Sequence, residues 1–174
     1  GKDDLKVRLD QIKVVSMRKI SEKLEKEAKA SGDFGKYVLC GQSYLNIYNR
    51  NPEADGADEV LYNAGVCFEE GKSIGASITA YNLLQKYFPN SKQTARAIAR
   101  LGNAYGEIAF YRQASEKLEE YSKKYGSEKD AFDAMSDAVF YRKGIGDDAK
   151  AIEDTNSFVA QYKTKRVTEA ANAR

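Results

Sequence analysis

The stretch Gly65 to Ser73 reads Gly-Val-Cys-Phe-Glu-Glu-Gly-Lys-Ser, residue types that can cradle a phosphate. Such a loop surrounds the anion with backbone amides of closely spaced glycines and a lysine, and it follows a strand. Here the spacing is one residue too long and the apolar positions repeat as in a helix, so both glycines are assigned structural work. Cys40 and Cys67 are the two thiols, with no Cys-x-x-Cys spacing that would mark a metal or redox motif. Both lie in apolar helical stretches, where a buried inert thiol is the default; a disulfide requires their helices to pack together, which sequence leaves open. Glu69–Glu70 and Glu119–Glu120 are adjacent carboxylates of charged helices, and adjacency alone makes no acid–base pair. The acidic string from Asn51 to Glu59 lacks the alternating ligands of a calcium loop and reads as a polar loop with helix-capping residues such as Asp58. The chain has no histidine, which removes histidine-based nucleophile activation and the commonest zinc ligand. The expectation is a non-enzyme with no catalytic residue, no cofactor and no metal site.

The elements that hold these residues follow from composition and pattern. With 174 residues, 42% hydrophobic and 31% charged, the chain can bury a core and has no signature of disorder. No apolar run approaches the roughly 18 residues of a membrane span. The 28 basic and 26 acidic side chains are interspersed, without the basic stripe of a nucleic-acid binder. Lys163–Arg166 and Arg18–Lys19 are the densest basic pieces and read as solvated helix ends.

The strongest signal is an internal period of 37 residues. It superimposes Pro52 on Pro89, Gly65 on Gly102, and Ala97 on Ala134 and Ala171. Leu24, Leu61, Ile98 and Met135 form an apolar column; Cys40, Ser77, Ala114 and Ala151 form a small one. Bulky columns hold Tyr44, Tyr81 and Leu118; Ile47, Leu84, Tyr121 and Phe158; and Phe88, Tyr125 and Tyr162. Within a unit, Val60, Leu61, Ala64, Gly65 and Phe68 recur at three- and four-residue intervals, predicting a helix over Ala57–Glu70. Ile78, Tyr81, Leu84, Tyr87 and Phe88 predict a second over Ile74–Phe88, ended by Pro89, which cannot donate an amide hydrogen bond. Gly71, Gly106 and Gly144/Gly146 are expected in the turns, and Gly65 and Gly102 opposite Ser77 and Ala114, letting backbones approach. Asp3–Ala30 is one bent helix or two, with any break near Val14–Met17. The domains expected are a helical extension over 1–20, hairpin repeats over 21–56, 57–93, 94–130 and 131–163, and the start of a further, truncated repeat over 164–174, as in a fragment of a longer protein.

These columns resemble the tetratricopeptide repeat family. The pattern appears as Leu61, Ala64, Gly65, Phe68, Ser77, Tyr81, Leu84 and Pro89, then as Ile98, Leu101, Gly102, Tyr105, Ala114, Leu118 and Tyr121, with Gly126 in place of the proline. In the third unit Val139 and Arg142 replace the glycine and the aromatic, while Ala151, Phe158 and Tyr162 remain. The family's usual period is about 34 residues, and the additional ones follow Pro89. Tyr-Phe-Pro-Asn-Ser before an alanine-rich helix resembles the subclass in bacterial cell-envelope proteins, such as the lipoprotein of the barrel assembly machine and the Tol–Pal coordinator. The resemblance implies an all-α fold, a right-handed α-solenoid of stacked antiparallel helical hairpins.

It also implies protein partners, a peptide or helical segment held in a concave groove lined by first helices. Those positions are Glu59, Tyr62, Val66 and Glu69; Arg96, Ala99, Asn103 and Glu107; and Asp133, Ser136, Phe140 and Lys143. Tyr62, Val66, Glu69, Arg96, Asn103 and Phe140 are the expected partner-binding residues, with Tyr62, lying off the core columns, and Arg96 foremost. The function implied is a scaffold in an envelope machine (outer-membrane assembly, Tol–Pal-like coordination or a trans-envelope motor), periplasmic and attached to the outer membrane by an anchor outside this chain. The alternatives are a docking or regulatory domain of a larger enzyme, a homo-oligomer paired through Asp3–Ala30, and a cytoplasmic adaptor. No nucleic acid is expected as a partner.

Overall fold

The computed structural model describes residues 2–163, and the expected truncated repeat over 164–174 lies outside them. Among the described residues there are helices and no strand: α1 (Lys2–Ser31), α2 (Phe34–Arg50), α3 (Ala57–Glu70), α4 (Ile74–Tyr87), α5 (Lys92–Glu107), α6 (Tyr111–Lys124), α7 (Ala131–Gly144) and α8 (Asp148–Tyr162). None is long and apolar enough to cross a membrane. The chain divides into two compact units at Thr94/Ala95.

In the first unit α2 packs on α1 and α3, and α4 on α3. The segment with two readings is a single helix, α1, with no break at Val14–Met17. Ser21 is fully buried on it, its hydroxyl donating to Met17 O (3.0 Å) and free to accept from Ser43 Oγ of α2 (2.7 Å). Asp33 starts α2 by accepting from the amides of Gly35 (2.8 Å) and Lys36 (3.4 Å), which satisfies two donors of the first turn. Asp58 does not cap α3. Gly56, in a left-handed conformation, holds that position, and Asp58 in the first turn accepts from Ser91 Oγ at 2.5 Å. Ser91 in turn receives the Gln93 amide at 3.0 Å and starts α5. Cys40 and Cys67 join α2 to α3 in a disulfide with Cα atoms 5.8 Å apart, so the default of two inert thiols is corrected.

In the second unit Ile98 of α5 meets Leu118 and Tyr121 of α6 and Ala131, Ala134 and Ala138 of α7. Met135 of α7 meets Phe158, Val159 and Tyr162 of α8, with Phe132 alongside.

Most of the sequence columns are buried columns, with Leu24, Phe88 and Tyr125 half-buried. Leu61, Ile98 and Met135 are inaccessible, and Cys40, Ser77, Ala114 and Ala151 are all buried. So are Ile47, Leu84, Tyr121 and Phe158. The glycines of the first helices meet a different column from the one expected. A Cβ on Gly65 would overlap the Tyr81 ring, and one on Gly102 would overlap Leu118, so the bulky column lies over each glycine and not the small one.

The turns also repeat: Gly146 holds one as expected, while Gly71 stands one residue and Gly106 three residues before the left-handed residue of its turn. Lys72 (φ 57°), Ala109 (φ 62°) and Gly146 (φ 74°) are left-handed and stand 37 residues apart. Each turn closes with the same two bonds. Lys72 N donates to Glu69 O (2.9 Å) and Ser73 N to Phe68 O (2.8 Å). Ala109 N donates to Gly106 O (3.1 Å) and Phe110 N to Tyr105 O (2.9 Å). Gly146 N donates to Lys143 O (3.1 Å) and Asp147 N to Arg142 O (3.0 Å). This is the Schellman ending, which satisfies orphan carbonyls of the last helical turn. Gly71 is a C-cap with φ −77°, and Gly106 and Gly144 lie within α5 and α7.

Candidate protein-docking surface

The six sequence-predicted residues fall into unlike environments. On α3, Tyr62 is only 6% exposed, its ring 6.1 Å from that of Tyr81. Lying off the columns left it a candidate surface ring, and the structure corrects that placement: it is part of the first unit's core. Val66 is half-buried, and Glu69, also half-buried, accepts from Tyr81 Oη at 2.9 Å. On α5, Arg96 and Asn103 are exposed. On α7, Phe140 is 71% exposed, the most exposed large apolar side chain among those described.

Alpha7 is organised around that ring. Ala131, Ala134, Met135, Ala138 and Arg142 form its buried face. Asp133, Asp137 and Phe140 follow one another at four- and three-residue spacing, which sets them on a single stripe, and all three are exposed. A helix in water normally turns its aromatics in and its arginines out. Alpha7 does the reverse at both Phe140 and Arg142.

Arg142 stands in the column of Phe68 and Tyr105 and is 3% exposed. Its Nε donates to Asp154 Oδ2 at 2.5 Å, its Nη2 to Glu119, and its Nη1 lies 3.5 Å from Asp147 Oδ2. Asp154 is inaccessible, and Lys123 Nζ lies 3.9 Å from its Oδ1. Burial, then Glu119, holds the Asp154 carboxyl above its ordinary value against the pull of Arg142. Burial pushes Glu119 up as well, but Lys123 and Arg142 outweigh it and hold that carboxyl below its ordinary value. A buried charge is tolerated only with a partner of this kind. The third repeat is therefore re-specified rather than degraded. An ion pair replaces an aromatic, and Val139 in the glycine column accompanies Thr155 in the column of Tyr81 and Leu118. Sequence reading missed this pair; the signal was an arginine in an aromatic column, 12 residues before an aspartate.

Beside Phe140 the exposed rings continue. Phe140 meets Tyr141 edge-on with centroids 5.8 Å apart. Tyr141 stacks on Tyr111 at 5.3 Å and 15° and passes over Gly106, whose missing side chain leaves the room. In the adjoining turn Phe110 stacks on Tyr105 at 6.4 Å and 9°. Phe110 and Tyr111 are both exposed. Burial raises the Tyr141 hydroxyl's pKa, with Asp137, Tyr111 and Glu107 adding to it, so two carboxylates face this ring. Nothing in this surface pairs a nucleophile with a base. It offers flat, rigid apolar area edged with charge, which suits recognition of another protein.

Residues 59–91 match the Tetratricopeptide repeat family. No curated protein matches the chain. Among solved structures, one described as "MamA RS-1 ArsTM double mutant" is similar with a TM-score of 0.62 and 16% identity, covering 92% of this chain and 90% of that one. At that identity the likeness establishes the fold alone. Residues 59–91 thus carry a tetratricopeptide repeat, within an all-α solenoid of helical hairpins.

Proposed function

We propose that the chain is a non-catalytic docking module of a bacterial cell-envelope machine, working in the periplasm, where it binds a segment of a partner protein. The observation that carries the docking role is the outward Phe140 on a helix whose inward face is closed by Arg142 and Asp154. An exposed ring on a rigid helix contributes binding area with little entropy to lose. Arg96 and Asn103 on α5 add a cation and an amide for a partner's backbone; in the first unit, taken by itself, Val66 of α3 stands in the column of Asn103, with Glu69 three residues further along. The Cys40–Cys67 disulfide supports the compartment, because such bonds persist in oxidising surroundings and are rare in the cytosol. The test is affinity capture from solubilised cell envelopes with the unmodified chain beside the Arg96→Glu/Phe140→Ala variant. One protein retained by the first and lost by the second supports the reading; equal retention by both contradicts it.

A second reading is self-assembly through α1. Leu9, Ile12, Val15 and Ile20 are all more than half exposed along it, an unusual density of aliphatic surface for one helix. Light scattering against concentration separates the two: a mass that doubles, and returns to the monomer in Ile12→Asp/Ile20→Asp, favours pairing.

A further inference from the structure

The exposed rings at the end of α7 have a definite electrostatic setting. Asp133 and Asp137 precede Phe140 on the same stripe, and Glu107 comes from the end of α5. Crowding by the surrounding chain, then Asp133, pushes the Asp137 carboxyl above its ordinary value, although the residue's surface is exposed. The cation next along in sequence, Arg112, is drawn towards Asp147 at 3.5 Å. Lys143, also exposed, follows Phe140 at three-residue spacing and adds one cation at the end of the stripe. Phe140, Tyr141 and Tyr111 thus form a run of rings edged by three carboxylates.

We propose that this edge of the second unit docks a basic, arginine-bearing segment of a partner protein. The inference rests on the docking role argued above and names the chemistry of the partner. A guanidinium is planar and weakly hydrated, stacks on an aromatic face, and forks onto a carboxylate. Phe140 and Tyr111 supply the faces, and Asp133, Asp137 and Glu107 supply the acceptors. An aliphatic residue beside the arginine covers the remaining ring area. An acidic segment would set like charges against three carboxylates with Lys143 alone opposing them on the stripe, so the balance of charge favours a basic partner.

The probe is the peptide acetyl-Arg-Leu-Arg-Leu-Arg-amide, with acetyl-Glu-Leu-Glu-Leu-Glu-amide as its counterpart, titrated into the isotopically labelled chain and followed by NMR. The arginine peptide should move the signals of Tyr111, Phe140 and Tyr141, and the glutamate peptide should leave them in place. Phe140→Ala should weaken binding about tenfold or more, the loss typical of a central interface ring. Asp133→Asn/Asp137→Asn should weaken it and flatten its salt dependence. All three positions are exposed, and circular dichroism verifies that the helices persist in each variant. Absence of arginine-peptide binding, equal binding of both peptides, or unchanged affinity in Phe140→Ala overturns the proposal. Should the peptide fail while envelope capture still depends on Arg96 and Phe140, the docking role stands and only the partner's chemistry falls.

Discussion

The ring of Tyr81 occupies the space that a side chain on Gly65 would need. The same relationship recurs 37 residues later between Leu118 and Gly102. Each glycine lets the second helix of a hairpin lay a bulky residue directly on the first. Gly65→Ala should therefore cost about 1–3 kcal/mol by overpacking. The double variant Gly65→Ala/Tyr81→Thr, which like Val139 and Thr155 sets a side chain in the glycine column beside a small one in the bulky column, should recover part of that loss. Urea unfolding of the single and double variants measures the coupling.

The left-handed turn residues make a second prediction. Lys72 and Ala109 carry a Cβ into a conformation that costs roughly 1–2 kcal/mol for an L-residue, while Gly146 holds the same place without that strain. Ala109→Gly should raise stability by up to about 1 kcal/mol, since glycine's larger unfolded-state entropy takes back part of the gain. Gly146→Ala should lower it by a similar amount. Equal and negligible shifts in both denaturation midpoints would contradict the turn assignment.

The Cys40–Cys67 bond closes a separation of 27 residues. Loop-closure entropy for that length is worth about 3.5 kcal/mol. Reduction, or the Cys40→Ala/Cys67→Ala variant, should lower the first unit's stability by that order, and hydrogen exchange in α2 and α3 should report it. Protection in α7 and α8 should change far less.

Removing Arg142 leaves Asp154 buried without its cation. Arg142→Met should cost about 3–5 kcal/mol, and Arg142→Met/Asp154→Leu should recover most of it, as expected where a buried pair is exchanged for apolar side chains. A single variant as stable as the unmodified chain would show that the pair contributes little to folding.

Tyrosine titration gives a prediction with a definite sign. Burial, then Glu25 and Glu22, pushes the Tyr44 hydroxyl up to about 12. The folded state thus holds this proton more tightly than the unfolded chain, where it leaves near pH 10. The stability linked to Tyr44 is fully present below pH 10 and disappears as pH rises towards 12. Absorbance at alkaline pH should show Tyr44 ionising well above pH 10. Tyr44→Phe should flatten the loss of stability above pH 10.

Much of the fold was legible because a 37-residue period repeats packing that is local to each hairpin. Ala57–Glu70 is bounded in the structure as its spacing predicts, and the second helix of that hairpin ends one residue early, at Tyr87. Gly146 was placed in its turn, but in the first two hairpins a glycine was sought where Lys72 and Ala109 accept a left-handed backbone, held there by two hydrogen bonds each. Tyr62 was misread because its column holds only the small Ala99 and Ser136 in the following units, so column comparison could not register its burial. Arg142 was counted as decay of the pattern, since charge in a core position becomes intelligible only when Asp154 is seen across the hairpin. Phe140 was named from its place on a first helix; its ring partner Tyr141 is the next residue on α7, while Tyr111, stacked on Tyr141, comes from α6 and leaves no mark in linear spacing.

The central claim is that the outward ring of α7 meets another protein. Replacing Phe140 with the photo-crosslinking amino acid p-benzoylphenylalanine and irradiating intact cells tests it directly. The account predicts one dominant adduct, identifiable by mass spectrometry, that is absent when the probe replaces Ile152 on α8. No adduct from position 140, or the same adducts from both positions, would contradict it.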